Sequence, residues 1–280
     1  MATIIDGKRV SSEFRLKIKS EITELKNKGI NVGLAVIMVG NDPASAVYVN
    51  SKINACKETG IKSSHYELPE DVSQEKLIEL IDSLNNNPEV NGILVQLPLP
   101  PHLDKDLILS EINVGKDVDG FSEYQCGRMF LGKKALYSCT PKGIIELLKA
   151  YNIEISGKNA VVIGRSNIVG KPCAMLLMQE NATVTVCHSK TRNLKEITQN
   201  ADIIVTAIGK PGFLTADMVK NGVVVIDAGI NRLNGKLCGD VDFDGVAEKA
   251  SFITPVPGGV GPMTVTMLLQ NTLEAATNGK

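Results

Sequence analysis

The sequence predicts an α/β protein of two doubly wound domains, and three observations carry that expectation. Short apolar runs alternate with helix-periodic segments along the whole chain, the pattern of β-α-β units around parallel sheets. The length of 280 residues is enough for about two ordinary domains. A glycine-bearing turn, Gly164 to Gly170, joins a strand-like run to an apolar helix, as in nucleotide-binding units.

Each element follows from local pattern. Ser11 to Lys28 sets Phe14, Ile18, Ile22 and Leu25 at helical spacing and ends on basic residues and Gly29, a helix with a capping glycine. Gly33 to Val39 is a short apolar run between glycines, typical of a strand buried on both faces. A helix from about Pro43 to Thr59, a strand near Lys62 to Leu68, a helix from Ser73 to Leu84 and a strand from Gly92 to Leu97 continue the alternation. Between Pro98 and Thr140 the prolines, the turn Asp117-Val118-Asp119-Gly120 and a helix near Asp104 to Ile112 read as the functional rim of this domain. Thr140-Pro141-Lys142-Gly143 opens a helix with Pro at its first position. The second set of strands is Ala160–Ile163, Thr183–Cys187, Ile203–Ala207, Val223–Asp227 and Phe252–Thr254. Helices are expected at about Ile168–Gln179, Leu194–Asn200, Thr215–Val219 and Asp242–Lys249, with a last one after Pro262.

Composition excludes several function classes. Thirty Lys and Arg against thirty-one Asp and Glu leave a net charge of −1, so no global field draws the chain to nucleic acid or an anionic membrane. Trp is absent and aromatic residues make up 4%, too few for a base-stacking surface. Asp6, Lys8 and Arg9 interrupt the start, and no run approaches the ~18 apolar residues of a membrane span. A cytoplasmic protein is expected. The six cysteines lie far apart without a CxxC pair, which speaks for reduced core cysteines and against zinc or iron–sulfur sites.

The turn Gly164-Arg-Ser-Asn-Ile-Val-Gly170 departs from the usual G-x-G-x-x-G, because Ser166 stands at the second glycine and one residue is added. An NAD enzyme normally places Asp or Glu after the following strand, where it accepts from the ribose 2′-hydroxyl. This chain has Cys187-His188-Ser189-Lys190-Thr191-Arg192 there, with no acid. Arg165 and Ser189 suit a 2′-phosphate dianion, so NADP is favoured.

Tyr48 and Lys52 lie four apart and share a helix face. Gln96 falls at the carboxyl end of its expected strand, where open α/β sheets place ligands, and Asp119 falls in the rim turn. Six ordered motifs then resemble one family: Tyr48-Val-x-x-Lys52, Val95-Gln96-Leu-Pro98-Leu-Pro100, Lys116-Asp-Val-Asp-Gly120, Cys139-Thr-Pro-Lys-Gly143, Gly164-Arg-Ser-x-Ile-Val-Gly-Lys-Pro172 and Thr254-Pro-Val-Pro-Gly-Gly-Val-Gly-Pro-Met-Thr264. The family is the bifunctional methylenetetrahydrofolate dehydrogenase/methenyltetrahydrofolate cyclohydrolases, or FolD. The likeness runs from about residue 3 to 275, with Ser138 where many relatives have Pro and a variable stretch at Gln125-Cys126.

The resemblance implies an N-terminal folate-binding catalytic domain, 1–139 plus 263–280 with the last helix returning to it, and a Rossmann-type NADP domain, 140–262. It implies a tetrahydrofolate derivative in the interdomain cleft, Tyr48 against the pterin, Asp119 on its pyrimidine edge, and Lys52 with Gln96 at the one-carbon bridge. Pro257, Gly258 and Gly259 wall the folate side. NADP is held by Gly164, Arg165, Ser166, Ser189 and the backbone of Ile230, with Thr140 near the nicotinamide. A homodimer and the absence of a metal are also implied. The chemistry agrees: oxidation of the methylene group asks mainly for hydride alignment, and hydration of the methenyl carbon asks for a group that moves protons, which a desolvated lysine can do. A monofunctional dehydrogenase, a non-catalytic NADP or folate binder, and a shikimate-dehydrogenase-like enzyme on the same plan are the alternatives.

Overall fold

The computed structural model describes residues 1–41 and 43–277, with 43–47 described by their backbone alone. It is a mixed α/β chain that divides into two compact units, Glu13–Cys139 with Val265–Lys280, and Met1–Ser12 with Thr140–Thr264. Residues 278–280 of the expected first domain lie outside the described residues. No described helix is long and apolar enough to cross a membrane.

The first unit is built on a three-stranded parallel sheet of β2 (Gly33–Val39), β3 (Lys62–Leu68) and β4 (Gly92–Val95), in the order β3-β2-β4. Every residue of β2 is buried, which is why its sequence reads as one apolar run rather than an alternation. Helices α2 (Pro43–Thr59) and α3 (Gln74–Asn85) supply the connections that parallel strands need. Ser73 caps α3 by accepting from the Lys76 N–H at 3.4 Å, and Leu77, Ile81 and Leu84 pack against Ala35, Ile37 and Ile93. The short α4 (Lys105–Ser110) is capped by Asp104, which accepts from Asp106 N at 3.0 Å and Leu107 N at 3.1 Å. Helix α5 (Glu123–Phe130) was not expected from the sequence. Its signals, Ser122 as N-cap accepting from Gln125 N and Met129 buried one turn after Gln125, span only about two turns and are interrupted by Gly127, a weak helix former.

The second unit carries a six-stranded parallel sheet: β1 (Thr3–Ile4), β11 (Phe252–Ile253), β8 (Val224–Asp227), β7 (Ile203–Thr206), β5 (Asn159–Ile163) and β6 (Thr183–Cys187), in that spatial order. Strand β5 lies between β6 and β7, so connections leave it in opposite directions and open a crevice at its carboxyl end. The Gly164 turn begins there.

Several boundaries differ from the sequence expectation. The N-terminal strand, placed with residues 1–139 from the sequence, joins the second unit's sheet: Thr3 N donates to Ser251 O and Ile5 N to Ile253 O, each at 2.8 Å. A two-residue strand leaves no periodicity to read, and its pairing is with a segment some 250 positions away. Strand β4 stops at Val95, leaving Gln96 beyond it. The Thr215–Val219 helix is a single 3-10 turn, Ala216–Met218. Helix α6 (Cys139–Ala150) starts one residue before Thr140, so Pro141 is its third residue. A hairpin, β9 (Asn231–Leu233) with β10 (Lys236–Cys238), turns on Asn234-Gly235, both at positive φ, a two-residue turn signal overlooked in the sequence. Helices α1 (Gly7–Asn27), α7 (Gly170–Gln179), α8 (Leu194–Gln199), α9 (Phe243–Ala247) and α10 (Val260–Thr277) complete the chain.

Candidate active site and cofactor turn

In the first unit, Tyr48 and Lys52 stand one turn apart on α2, whose residues Val49, Ala55 and Cys56 are buried. Tyr48 keeps 37% of its surface exposed, leaving ring area for a ligand. Lys52 Nζ donates to Gln96 Oε1 at 2.9 Å. The other end of the same carboxamide donates from Nε2 to Leu97 O at 2.7 Å, and Gln96 N donates to Ile37 O at 2.8 Å. Gln96 is therefore fixed at both ends and presents an oxygen, not an N–H, to the lysine.

Asp119 is delivered by a turn that is held from three sides. Lys116 Nζ donates to the carbonyls of Leu84, Asn85 and Asn87 at 2.9, 2.7 and 2.8 Å, closing the C-terminus of α3 with a positive charge. Asp117 accepts from Gly120 N at 3.0 Å and Ser122 N at 2.8 Å. Val118 is fully buried against Gly92, where a Cβ would lie 2.6 Å from Val118 Cγ1. Gly120 has φ +69°, and a Cβ there would lie 2.3 Å from Leu136 O, so this position excludes other residues. Burial pushes the Asp119 carboxyl up to about 6, with Asp117 adding to the rise while Lys52 and the Cys139 thiol oppose it. At neutral pH it is mainly a carboxylate, an acceptor in a desolvated place with Lys52 within electrostatic reach.

Lys116, known from the sequence only as part of a motif, caps the end of α3 in the structure. Substituting it, Lys116→Met, removes three charge-assisted bonds from carbonyls at and just beyond the end of α3, of which Leu84 O and Asn87 O keep a backbone N–H donor, and a loss of ~2–3 kcal/mol is expected. Urea unfolding checks this: a lower midpoint at unchanged slope is the expected result, and an unchanged midpoint refutes the capping role.

In the second unit, Gly164 follows β5 with φ +133°, and a Cβ there would lie 2.4 Å from Ala207 O. A Cβ on Gly170 would lie 2.3 Å from Gly164 O. These glycines let the turn fold back tightly onto α7 and leave a cradle at the end of β5. Ser166 Oγ accepts from Val169 N and Gly170 N at 3.2 Å each, so the residue replacing the fingerprint glycine closes the turn as an internal cap. Arg165 and Ser189 are both exposed. The turn holding Ser189 is organised by Thr191 Oγ1, which accepts from His188 N at 2.8 Å, and it presents Lys190 and Arg192 but no acid. This donor set fits a phosphate-bearing adenosine better than a free 2′-hydroxyl.

Ile230 is 51% exposed in a loop tied down by two buried carboxylates. Asp227 accepts from Gly229 N at 2.9 Å, and Asp240 accepts from Asn231 Nδ2 at 2.9 Å, Ile208 N at 2.7 Å and Lys210 N at 2.8 Å. The loops after β7 and β8 thus share one anchor, which the sequence reading missed although Asp240 follows a glycine in a polar run. Thr140 Oγ1 lies 2.9 Å from Thr264 Oγ1. Pro257, Gly258 and Gly259 belong to this unit, where Gly258 O accepts from Lys8 N at 3.2 Å and Gly259 O leaves no room for a Cβ at Gly7. The structure therefore brings Lys52, Gln96 and Asp119 together in one unit and sets the cofactor candidates with 257–259 in the other.

Comparison with known proteins is in accord. The family model for the tetrahydrofolate dehydrogenase/cyclohydrolase catalytic domain matches residues 5–119, and that for the family's NAD(P)-binding domain matches 138–280. A bifunctional FolD protein of Campylobacter hominis is 62% identical over 276 residues, 98% of this chain and 97% of that protein. The crystal structure of the Campylobacter jejuni FolD dehydrogenase/cyclohydrolase superposes with TM-score 0.98 at 52% identity, covering all of both chains. The Trypanosoma brucei dehydrogenase-cyclohydrolase, solved with NADP cofactor and inhibitor, superposes with TM-score 0.95 at 39% identity over 99% of this chain and 98% of that one. With both halves matched and relatives aligned end to end, the chain belongs to the tetrahydrofolate dehydrogenase/cyclohydrolase family.

Proposed function

We propose that this chain oxidises 5,10-methylenetetrahydrofolate to 5,10-methenyltetrahydrofolate with NADP⁺ and hydrolyses the product to 10-formyltetrahydrofolate, as an enzyme of one-carbon metabolism. The observation that carries the second activity is the 2.9 Å bond from Lys52 Nζ to Gln96 Oε1 beside the Asp119 carboxylate. NADP⁺, when bound, accepts the hydride. The chain's own groups do the rest: Asp119 accepts from the donor edge of the pterin, Tyr48 packs on its face, and Lys52 moves protons as water adds to the methenyl carbon and the bond to N5 breaks. Gln96 holds the lysine's amine toward that carbon. On the cofactor side, Gly164 and Ser166 shape the phosphate turn, Arg165 and Ser189 take the 2′-phosphate, and the backbone of Ile230 with Thr140 serves the nicotinamide end. Pro257, Gly258 and Gly259 wall the folate.

The test is incubation with methylenetetrahydrofolate and NADP⁺ or NAD⁺, following NADPH and the methenyl chromophore together. NADPH formed without lasting methenyl build-up supports both activities. Build-up to completion marks a monofunctional dehydrogenase, and no turnover marks a binder.

Cofactor choice has its own expected result. Arg165→Ala removes a charge-assisted contact worth roughly 1.5–3 kcal/mol and should weaken NADP⁺ about 10- to 100-fold while leaving NAD⁺ nearly unaffected. Equal use of the two cofactors by the unaltered enzyme defeats this assignment. We also place the enzyme in the cytoplasm, in keeping with six free cysteines, and infer a homodimer through the second unit. There, β6 is an edge strand with Val186 exposed. Sedimentation at micromolar concentration checks the dimer.

A further inference from the structure

Asn271, on α10, is fully buried, yet it is a polar side chain with no place in the chemistry above. Its Nδ2 donates to Val118 O and Tyr137 O at 2.8 Å each, and it approaches Cys139 Sγ at 3.6 Å. Two segments meet there, the turn that delivers Asp119 and the stretch that enters α6. Cys139, also buried, lies 3.4 Å from Val118 O and 3.9 Å from Asp119 Oδ1. The single thiol proton is within reach of both oxygens, the Val118 carbonyl, which also accepts from Asn271, and the Asp119 carboxylate, of which the charged carboxylate is the stronger acceptor.

We propose that Asn271 and Cys139 are positioning residues for folate recognition: Asn271 locks the Val118–Asp119 turn to the start of α6, and Cys139 S–H donates to the Asp119 carboxylate and keeps it an acceptor for the pterin. The proposal rests on the reading of Asp119 as the pterin's partner. An apolar side chain at 271 takes the amide donor from the buried Val118 carbonyl and the part-buried Tyr137 carbonyl, and an apolar side chain at 139 leaves the carboxylate with one donor fewer. The charged and titratable groups acting on Asp119 are Lys52 from α2, Asp117 from its own turn, and Cys139 from α6. Of these, removing only the thiol withdraws a stabilising donor without changing a formal charge.

The experiment is binding of folic acid to the full chain, followed by fluorescence between pH 5 and 9, for the unaltered protein and Cys139→Ala, Cys139→Ser, Asn271→Leu and Asp119→Asn. Affinity of the unaltered protein should fall as pH drops through about 6. In Cys139→Ala that fall should move up by ~0.5 pH or more, and the hydroxyl of Cys139→Ser should return it toward the original position. A packing role alone predicts no such movement. Asn271→Leu should weaken folic acid ~10-fold and NADP⁺ by less than about two-fold. Identical pH profiles for Cys139→Ala and Cys139→Ser overturn the proposal, and they decide it even if Asn271→Leu fails to fold. Asp119→Asn separates the two ideas: if it binds folic acid with the original affinity and pH profile, the reading of Asp119 is wrong, whereas loss of binding there with unmoved cysteine variants removes only the positioning role.

Discussion

Replacing Lys52 by Met is expected to make methenyltetrahydrofolate accumulate in the coupled reaction, with cyclohydrolase turnover down by ~10²-fold or more. The two half-reactions ask different things of the protein. Hydride transfer needs the methylene carbon aligned with its acceptor, and the folate nitrogens supply the electronic push. Hydration of the methenyl carbon needs a proton taken from water and one given to N5, and Lys52 Nζ, held by Gln96 Oε1 at 2.9 Å, is the titratable group placed for both. Met keeps much of the stem's length and packing but removes the nitrogen, so dehydrogenase activity should survive better. Gln96→Ala should fail in the same manner, since it frees the amine from its acceptor, and should disturb hydride alignment as well. If supplied methenyltetrahydrofolate is hydrolysed at the original rate by Lys52→Met, the bifunctional mechanism proposed for this site is wrong.

How far this site could be read from sequence depends on the range of the interactions that build it. Strands β2 and β3 and helix α2 lie at the expected residues because their signals are local: continuous apolar runs, and a helix bounded by Pro43 and Gly60. The Tyr48/Lys52 spacing is equally local, as is the glycine turn after Ile163. Asp119 was visible as an acid in a turn, but its elevated pKa was not. That property comes from burial, with Asp117 adding to it and Lys52 and Cys139 opposing. The turn is held in place by contacts remote in sequence: Lys116 reaching α3, Val118 filling the space beside Gly92, and Asn271 arriving from the far end of the chain, separations of about 30 to 150 residues. Strand β1 and the Asp240 anchor escaped notice for the same reason, being defined by partners remote in sequence. Ser166 shows the converse case, where a departure from the usual glycine pattern has a local structural cause: its hydroxyl supplies an internal cap.

Asp119→Asn should abolish or severely weaken both activities and, at the same time, stabilise the fold at neutral pH. The first effect follows from one folate site serving both reactions: the carboxylate accepts from two donors of the pterin edge, and an amide offers one acceptor and two unwanted donors. Loss of two charge-assisted bonds amounts to ~3–5 kcal/mol, or ~10²- to 10³-fold or more in kcat/KM for each activity. The second effect follows from the direction of the pKa change. The folded carboxyl titrates at about 6 against an ordinary 3.8, so the native state holds its proton to higher pH than the unfolded chain does. Below pH 3.8 the group imposes no ionisation cost. As pH rises toward 6 the unfolded state ionises first, stability falls, and above 6 the full cost remains, ~2 kcal/mol for a residue that is half-buried overall. Asn is nearly isosteric and never ionises. Urea midpoints for Asp119→Asn should therefore exceed those of the unaltered protein at pH 8 and converge with them near pH 4. A variant that is inactive and no more stable at pH 8 contradicts the buried-carboxylate account, and one that is stabilised yet retains both activities moves the pterin away from Asp119.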